Sequence, residues 1–442
     1  MAVAHAVAQE FQDIGLANFR DRSPPIRTCR TRLPVCSRFY VLRDQCRPLS
    51  QVVSWPKRER VRCSSPLFIC QLVPMCRRTE VAVGLSISLT GRFHPQGQEA
   101  LQGIRLWQSY LNAQGGIAVR DGEKRAVRLI WYDDRSQISC ARKNVLRLLR
   151  EDQVDILYGP YSSSLTMAVV EIAQEYKKVL WNHGGSSDEI FRHGWRYLVG
   201  IQSPASDYLR ALPCCLAEES PALRRICVLY SGRGTFGWRV ARGVLESALR
   251  VAHHSVHLVP INAPWDDQDV ILGVLAGIEP EIVVLAGSFQ DELALMRTRA
   301  RWPGTVREVA AVAAGVRAFS TELAQTADGV IGPSQWEPGV TLPNALGPTS
   351  DWFLNSFQRQ FGQTPDYIAA GSFATGLVLT ECIRLAGSLD DERLRNTVSY
   401  LDCHTFYGRF RIDSQTGMQT GHRVLLIRWQ RGHKVVLPSR PT

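Results

Sequence analysis

The chain has 442 residues, room for two or three domains at roughly 100–200 residues each, and its 45% hydrophobic and 21% charged residues are the balance of an ordinary globular protein. The formal net charge of +11 is concentrated in residues 1–80, which hold 14 Lys/Arg against 6 Asp/Glu; residues 81–442 carry only +3, so the body is nearly neutral, the basic balance says little about nucleic acid, and no nucleic-acid partner is expected. No run of 18 or more apolar residues offers a membrane span, and the 12 cysteines form no C-x-x-C pair, so those after residue 80 read as buried thiols and not as metal ligands.

Residues 1–80 mix Arg, Pro and Cys without periodicity and are expected to be disordered or a misassigned extension, with Met75 opening a more compact chain. KRERVR (57–62) before PLFICQLVP (66–74) has the charge-then-apolar order of an export signal, but Gln71 and prolines interrupt it. From Val81, VAVGLSISLTG alternates as a strand does and stops at Thr90-Gly91. A helix follows with Leu101, Ile104, Trp107 and Leu111 on one face; NAQGGI ends it, and VRLIWYDD is the next strand. Trp107 and Trp131 are expected in the core. Strand and helix alternate to about residue 200, the pattern of a parallel sheet covered on both faces, whose ligands bind at the strands' carboxyl ends.

Two strand ends in this first series carry hydroxyls. VDILYGP runs into Ser162, Ser163, Ser164 and Thr166 before an Ala/Val/Ile helix, and KVLWN runs into HGGSSDEIF with Gly184, Gly185, Ser186 and Ser187. Hydroxyls and free N–H groups at a helix start make a polar cup for a carboxylate or similar group. Ordinary helix capping uses the same residues.

A second series follows: RRICVLY, SVHLVPIN, EIVVLAG and EVAAVAAG read as strands, with helices around 238–251, 269–278 and 291–301. Crossings are expected at VGIQSPASDYL and VIGPSQWEPGV, then helices over 351–361 and 367–386, and late strands in FYGRFRID, HRVLLIRWQRG and KVVLP. Two α/β lobes joined by more than one crossing bracket a cleft. GRGTFG (232–237) satisfies the dinucleotide fingerprint after a strand, yet the acidic residue wanted about 20 positions on is missing, and Phe236 at that turn reads better as a wall of the cleft. Asp133, Asp134, His94 and His183 lie on loop tips as a possible acid–base set, but no nucleophile or metal motif accompanies them.

The body resembles the leucine/isoleucine/valine-binding protein family, the type I periplasmic binding proteins. The resemblance rests on SLTG with QGQEALQGIRLW and NAQGGI, then YDDRS, VDILYGPYSSSLT, WNHGGSSDEIF, TPDYIAAGSFATGLVL, TFYGRFRID and TGHRVLLIRWQRG, in order over 81–442. It implies an α/β fold of two Rossmann-like lobes, parallel sheets flanked by helices, joined by three crossings. Lobe 1 is expected over 81–202 plus 335–405, and lobe 2 over 203–334 plus 406–442. It further implies a non-enzymatic, cofactor-free protein of the periplasm that closes on a small polar ligand (an amino acid, amide or small organic or aromatic acid) and delivers it to the membrane permease subunits of an ABC importer.

The implied ligand residues are Ser163, Ser164 and Thr166 in one cup, Gly185, Ser186 and Ser187 in the other, Phe236, Ser288 and Phe289 from the second lobe, and Phe93 with Gln96 from the first-lobe loop. In amino-acid-binding relatives a carboxylate near the end of EVAAVAAG holds the ligand's ammonium; here the stretch is Ala313-Ala314-Gly315, which weighs against an α-amino acid. The alternatives are a cytoplasmic ligand sensor of the amide-regulator type acting on a regulatory protein, and a dinucleotide-dependent enzyme.

Overall fold

Strand β1 (Glu80–Ile87) is buried at every position after Glu80, although its sequence alternates like a half-exposed strand. The reason is its place. In the computed structural model, which describes residues 79–442 apart from 121–122, 252–253, 263–264, 266 and 439–442, it is the central strand of a parallel sheet with helices on both faces. The expectations for residues 1–80 fall outside the described residues, save the last two.

The first lobe continues with α1 (His94–Asn112), β2 (Ile117–Arg120), β3 (Glu123–Asp133), α2 (Ile138–Arg150), β4 (Ile156–Tyr158), α3 (Ser163–Glu175), β5 (Leu180–Asn182), α4 (Asp188–Arg192) and β6 (Leu198–Gly200). Its sheet runs β2-β3-β1-β4-β5-β6, parallel except for the β2–β3 pair. The second lobe is built from α5 (Leu212–Glu219), β7 (Arg225–Ser231), α6 (Phe236–Ala248), β8 (Ser255–Ile261), α7 (Gln268–Ile278), β9 (Ile282–Ala286), α8 (Phe289–Met296), β10 (Glu308–Ala311), α9 (Arg317–Leu323) and β11 (Ile331–Ser334). The chain then returns to the first lobe through α10 (Ser350–Phe361), α11 (Tyr367–Ala386), α12 (Asp391–Val398) and the hairpin β12 (Asp402–Thr405) and β13 (Gly408–Arg411). It finishes on β14 (Leu425–Gln430) and β15 (His433–Val436), antiparallel strands closing a sheet ordered β15-β14-β11-β10-β9-β7-β8.

Helix α11 is long and apolar enough to span a membrane, but it is buried in the first lobe's core. It lies close against α1. A Cβ at Gly103 would fall 2.2 Å from the Ala369 carbonyl oxygen, and one at Gly376 would fall 2.4 Å from the Trp107 ring, so two glycines set the spacing of the helix pair.

Several details depart from the sequence reading. EVAAVAAG is a strand only to Ala311; residues 312–315 turn into a 3₁₀ helix because their backbone is claimed from outside, with Glu292 accepting the Ala313 N–H at 2.7 Å and Trp429 donating to the Ala314 oxygen at 2.8 Å. Trp131 is 40% exposed: β2 pairs with β3 only along 123–125, which leaves the far end of β3 uncovered. The helix expected over 291–301 starts at Phe289 and ends at Met296. Finally, Phe406, Tyr407, Phe410 and Ile412 pack in the first lobe's core, so the last crossing lies after residue 412 and not at 405/406.

The three crossings are tied to one another. Ser203 N–H donates to Gln335 Oε1 at 2.8 Å, Gln419 Nε2 donates to the Ile201 oxygen at 3.1 Å, and Ser203 Oγ donates to the His422 oxygen at 3.3 Å.

Candidate interlobe binding site

The two hydroxyl cups meet. Ser162 sits between β4 and α3 with φ of +89°, a conformation that L residues adopt only where the surroundings enforce it, and its Oγ caps the helix by accepting the Leu165 N–H at 3.3 Å. That elbow aims Ser163 at the neighbouring strand end, where its Oγ accepts the N–H of Ser187 at 3.0 Å and of Ser186 at 3.3 Å. Thr166 and Gly185 support this arrangement from behind. Thr166 Oγ1 is buried beside Pro160 and Asn182, and a Cβ at Gly185 would fall 2.4 Å from it, so only glycine lets the second loop come this close. Asn182 locks that loop, its Oδ1 accepting the Gly185 N–H at 2.8 Å and its Nδ2 donating to the Gly185 oxygen at 2.6 Å.

The second lobe reaches the same seam. Ser187 Oγ lies 2.7 Å from Thr235 Oγ1 at the start of α6, next to Phe236. The Phe236 ring stands edge-on to Tyr208 with centroids 5.4 Å apart. The buried Tyr208 hydroxyl shares its hydrogen between Ser186 Oγ at 3.1 Å and Gln202 Oε1 at 3.3 Å, with Gln335 and Tyr367 also in reach. Arg239 of α6 pairs with Glu189 of α4, which holds the Glu189 carboxyl below its usual range. Asp188 accepts the Ser206 hydroxyl at 2.6 Å and its N–H at 3.1 Å, anchoring the first crossing.

Of the other residues expected at the site, Ser164 is exposed with its hydroxyl 3.3 Å from Ser162 Oγ, and the second cup's amides go to Ser163 instead. Ser288 is occupied in a capping box with Asp291, its hydroxyl donating to Asp291 Oδ2 at 2.6 Å. Phe289 packs against the cores of both lobes. Phe93 lies edge-on to Tyr161 at 6.0 Å and carries the Arg92 guanidinium on its face at 4.4 Å. Gln96 is buried and its Oε1 has no hydrogen-bond partner.

Of the acid–base candidates, His94 is the exposed first residue of α1, and the other three are held in local structure. Asp133 accepts the N–H groups of Leu89 and Arg135 and the Thr90 hydroxyl, and Asp134 accepts the Ser88 hydroxyl at 2.6 Å, so both hold the turn after β3. His183 is fully buried, 3.1 Å from Ser372 Oγ through Nδ1, and burial pulls its imidazole down to about 4. Among the described residues no His, Cys, Asp and Glu cluster could hold a metal ion. The GRGTFG turn lies at the seam, where Thr235 meets Ser187 and Phe236 meets Tyr208.

The residues around this seam that the sequence reading does not single out are Tyr161, Tyr208, Gln202, Gln335 and Thr235. Thr235, beside Phe236 in a glycine-rich turn, was within reach of the same logic that found its neighbour. The tyrosines and glutamines were not, because nothing in their local pattern distinguishes a cleft wall from a core.

The chain matches the family model for periplasmic binding proteins over residues 80–434. Among solved structures it is similar to a leucine binding protein LivK from Thermotoga maritima, at 18% identity and a TM-score of 0.70 over 80% of this chain and 97% of that one. It is likewise similar to the branched-chain amino acid transporter substrate binding protein LivJ from Streptococcus pneumoniae in complex with isoleucine (15% identity, TM-score 0.68, 80% and 97% covered). A third is an ABC transporter solute binding protein from R. palustris in complex with benzoate (18% identity, TM-score 0.67, 81% and 96% covered). With two helix-flanked sheets, three crossings and a family match over four-fifths of its length, this chain belongs to the periplasmic binding protein family, with the type I fold of the leucine-binding proteins.

Proposed function

We propose that the protein is a non-enzymatic solute-binding protein that captures a small polar molecule, an amino acid, amide or small organic or aromatic acid, between its lobes and delivers it to the permease subunits of an ABC importer. The observation that carries this reading is the seam itself: Ser163, Ser186 and Ser187 of one lobe face Thr235, Phe236 and Tyr208 of the other side. Hydroxyls and main-chain amides are the groups that bind a carboxylate or carbonyl oxygen, and the aromatic rings cover an apolar tail. Lobes connected by three crossings close by hinge rotation, and the ligand stabilises the closed form by the contacts only that form offers.

A thermal-shift screen of amino acids, amides and aromatic acids against the purified chain tests the reading, since a ligand that binds only the native state raises its apparent stability. A shift that Ser163→Ala removes supports it; a flat screen contradicts it. Fractionation of the native protein tests the setting: recovery from the periplasm agrees with import, and recovery from the cytosol reassigns the same cleft to a sensor.

A further inference from the structure

The two large sheets end on four edge strands, and three of these are blunted against pairing with another chain. β2 has four residues and a register shift between Ala118 and Arg120. β6 has three and gives its Gly200 N–H to the Gly417 oxygen of the third crossing, and β15 has four and turns the charged Lys434 inward to Asp366. β8 differs: it runs for seven residues without a charged side chain, and among the described residues it pairs with β7 alone.

The backbone of β8 determines which groups it leaves free. Ser255 N–H donates to the Arg224 oxygen and the Ile261 oxygen accepts the Gly232 N–H, so the odd-numbered residues turn their backbone groups to β7. Val256, Leu258 and Pro260 therefore turn theirs out of the sheet, Pro260 with an acceptor only.

Helix α7 adds an apolar flank on the same side. Gln268 Nε2 donates to the Ala294 oxygen at 3.3 Å and Asp269 pairs with Arg301 at 2.7 Å, which turns one side of α7 toward α8 and the middle of the sheet. Ile271 and Leu275 are buried beneath the helix. The opposite side, where helical spacing puts Val270, Gly273, Val274 and Gly277, faces the β8 edge. Val270 is 61% exposed, and nothing lies within 4 Å of a Cβ at either glycine. A helix apolar beyond its buried stripe has more surface to cover than its own lobe covers.

We infer that the β8 edge and the α7 flank are an interface at which a second copy of this chain adds its own β8, antiparallel, to the sheet. The surface is complementary to itself. About a two-fold axis at Leu258, that residue exchanges N–H···O bonds with the partner's Leu258, and each Val256 N–H meets the oxygen of the partner's Pro260. Every outward donor of the strand then has an acceptor, and the missing N–H of Pro260 leaves no donor stranded. Neither the strand nor the α7 flank carries a charge, so two identical copies meet without repulsion, whereas an edge lined with one sign of charge would call for an opposite partner. The two-fold arrangement uses up both edges and stops at a dimer. The inference does not depend on what the cleft binds.

Sedimentation velocity of the full chain from low to high micromolar concentration, with amide hydrogen exchange resolved by residue, tests it. A concentration-dependent dimer is expected, in which the Val256 and Leu258 amides exchange slowly and return to fast exchange on dilution. His257→Glu and Val270→Glu place a carboxylate at exposed positions of the strand and the flank, and each is expected to weaken the dimer at least tenfold while the dilute chain keeps its melting temperature. Gly277→Lys, whose side chain starts in open space, replaces either variant that melts early and is expected to weaken the dimer as much. A chain that stays monomeric throughout overturns the interface. So does a dimer that these variants leave at its natural affinity, or one in which Val256 and Leu258 exchange as fast as in the monomer.

Discussion

Ser163 and Thr235 belong to different lobes and are linked through one residue: Ser187 gives its N–H to Ser163 at 3.0 Å and holds its hydroxyl 2.7 Å from that of Thr235. The geometry of the cups and the approach of the lobes are therefore one system. A ligand oxygen that competes for the Ser187 amide also acts on the contact that joins the lobes.

Removing the Ser163 hydroxyl leaves the Ser186 and Ser187 amides without their acceptor. Ser163→Ala is expected to destabilise the chain by about 1–3 kcal/mol, the cost of an unsatisfied buried donor. Urea denaturation measures it. Ser163→Thr, which restores an acceptor, is expected to recover part of the loss.

The α1–α11 contact leaves no room for a side chain at Gly103, where a Cβ would overlap the Ala369 carbonyl. Backbone cannot step aside as a flexible side chain can, so Gly103→Ala is expected to cost about 1–3 kcal/mol from overpacking, against the gain in helix propensity that alanine brings elsewhere. Gly273→Ala, with nothing within 4 Å of its Cβ, is the matched control and is expected to be neutral or stabilising.

Lys434 is the buried hub of Glu337, Asp366 and the Gly315 carbonyl. Lys434→Met strands two carboxyls away from solvent and is expected to destabilise by about 3–5 kcal/mol. Thermal melts at pH 7 and pH 5 check the mechanism: burial already raises the Glu337 carboxyl, and acid, which protonates it, should narrow the gap to the natural chain.

Burial pulls the His422 imidazole from its ordinary 6.5 down to about 4. The unfolded chain takes up that proton near pH 6.5 and the folded one only near pH 4, so the His422 contribution leaves stability intact above about 6.5 and drains it as pH falls toward 4. The slope is about 1.4 kcal/mol per pH unit. The raised carboxyls of Glu292 and Glu337 act with the opposite sign as pH falls, so the difference between the natural chain and His422→Gln isolates the effect. That difference is expected to be flat above pH 6.5 and to shift in favour of the variant below it; a difference independent of pH would show that His422 is protonated as readily in the fold as in water.

The strand ends with their hydroxyls were legible because helix starts carry local signals: Ser163 and Ser186 follow apolar runs and precede helices, and α11 was readable to the residue from its apolar length and flanking glycine. What the sequence could not convey was long-range. Glu99 is one polar residue among several in HPQGQEALQG, and its carboxyl is raised by burial and by Asp366, which the fold brings to it from the other end of the chain. The turn at 312–315 looks like a strand by propensity and is bent by Glu292, Trp429 and Lys434. Tyr208 reads as an ordinary core aromatic until the crossings set its hydroxyl between Ser186 and Gln202.

The account stands most directly on calorimetric titration of the natural chain, Ser163→Ala and Phe236→Ala with the solute that raises the melting temperature most in the screen. Saturable binding of one molecule per chain, weakened at least tenfold by either change, is the expected result. Equal affinity in all three proteins would contradict it and place the solute elsewhere on the molecule.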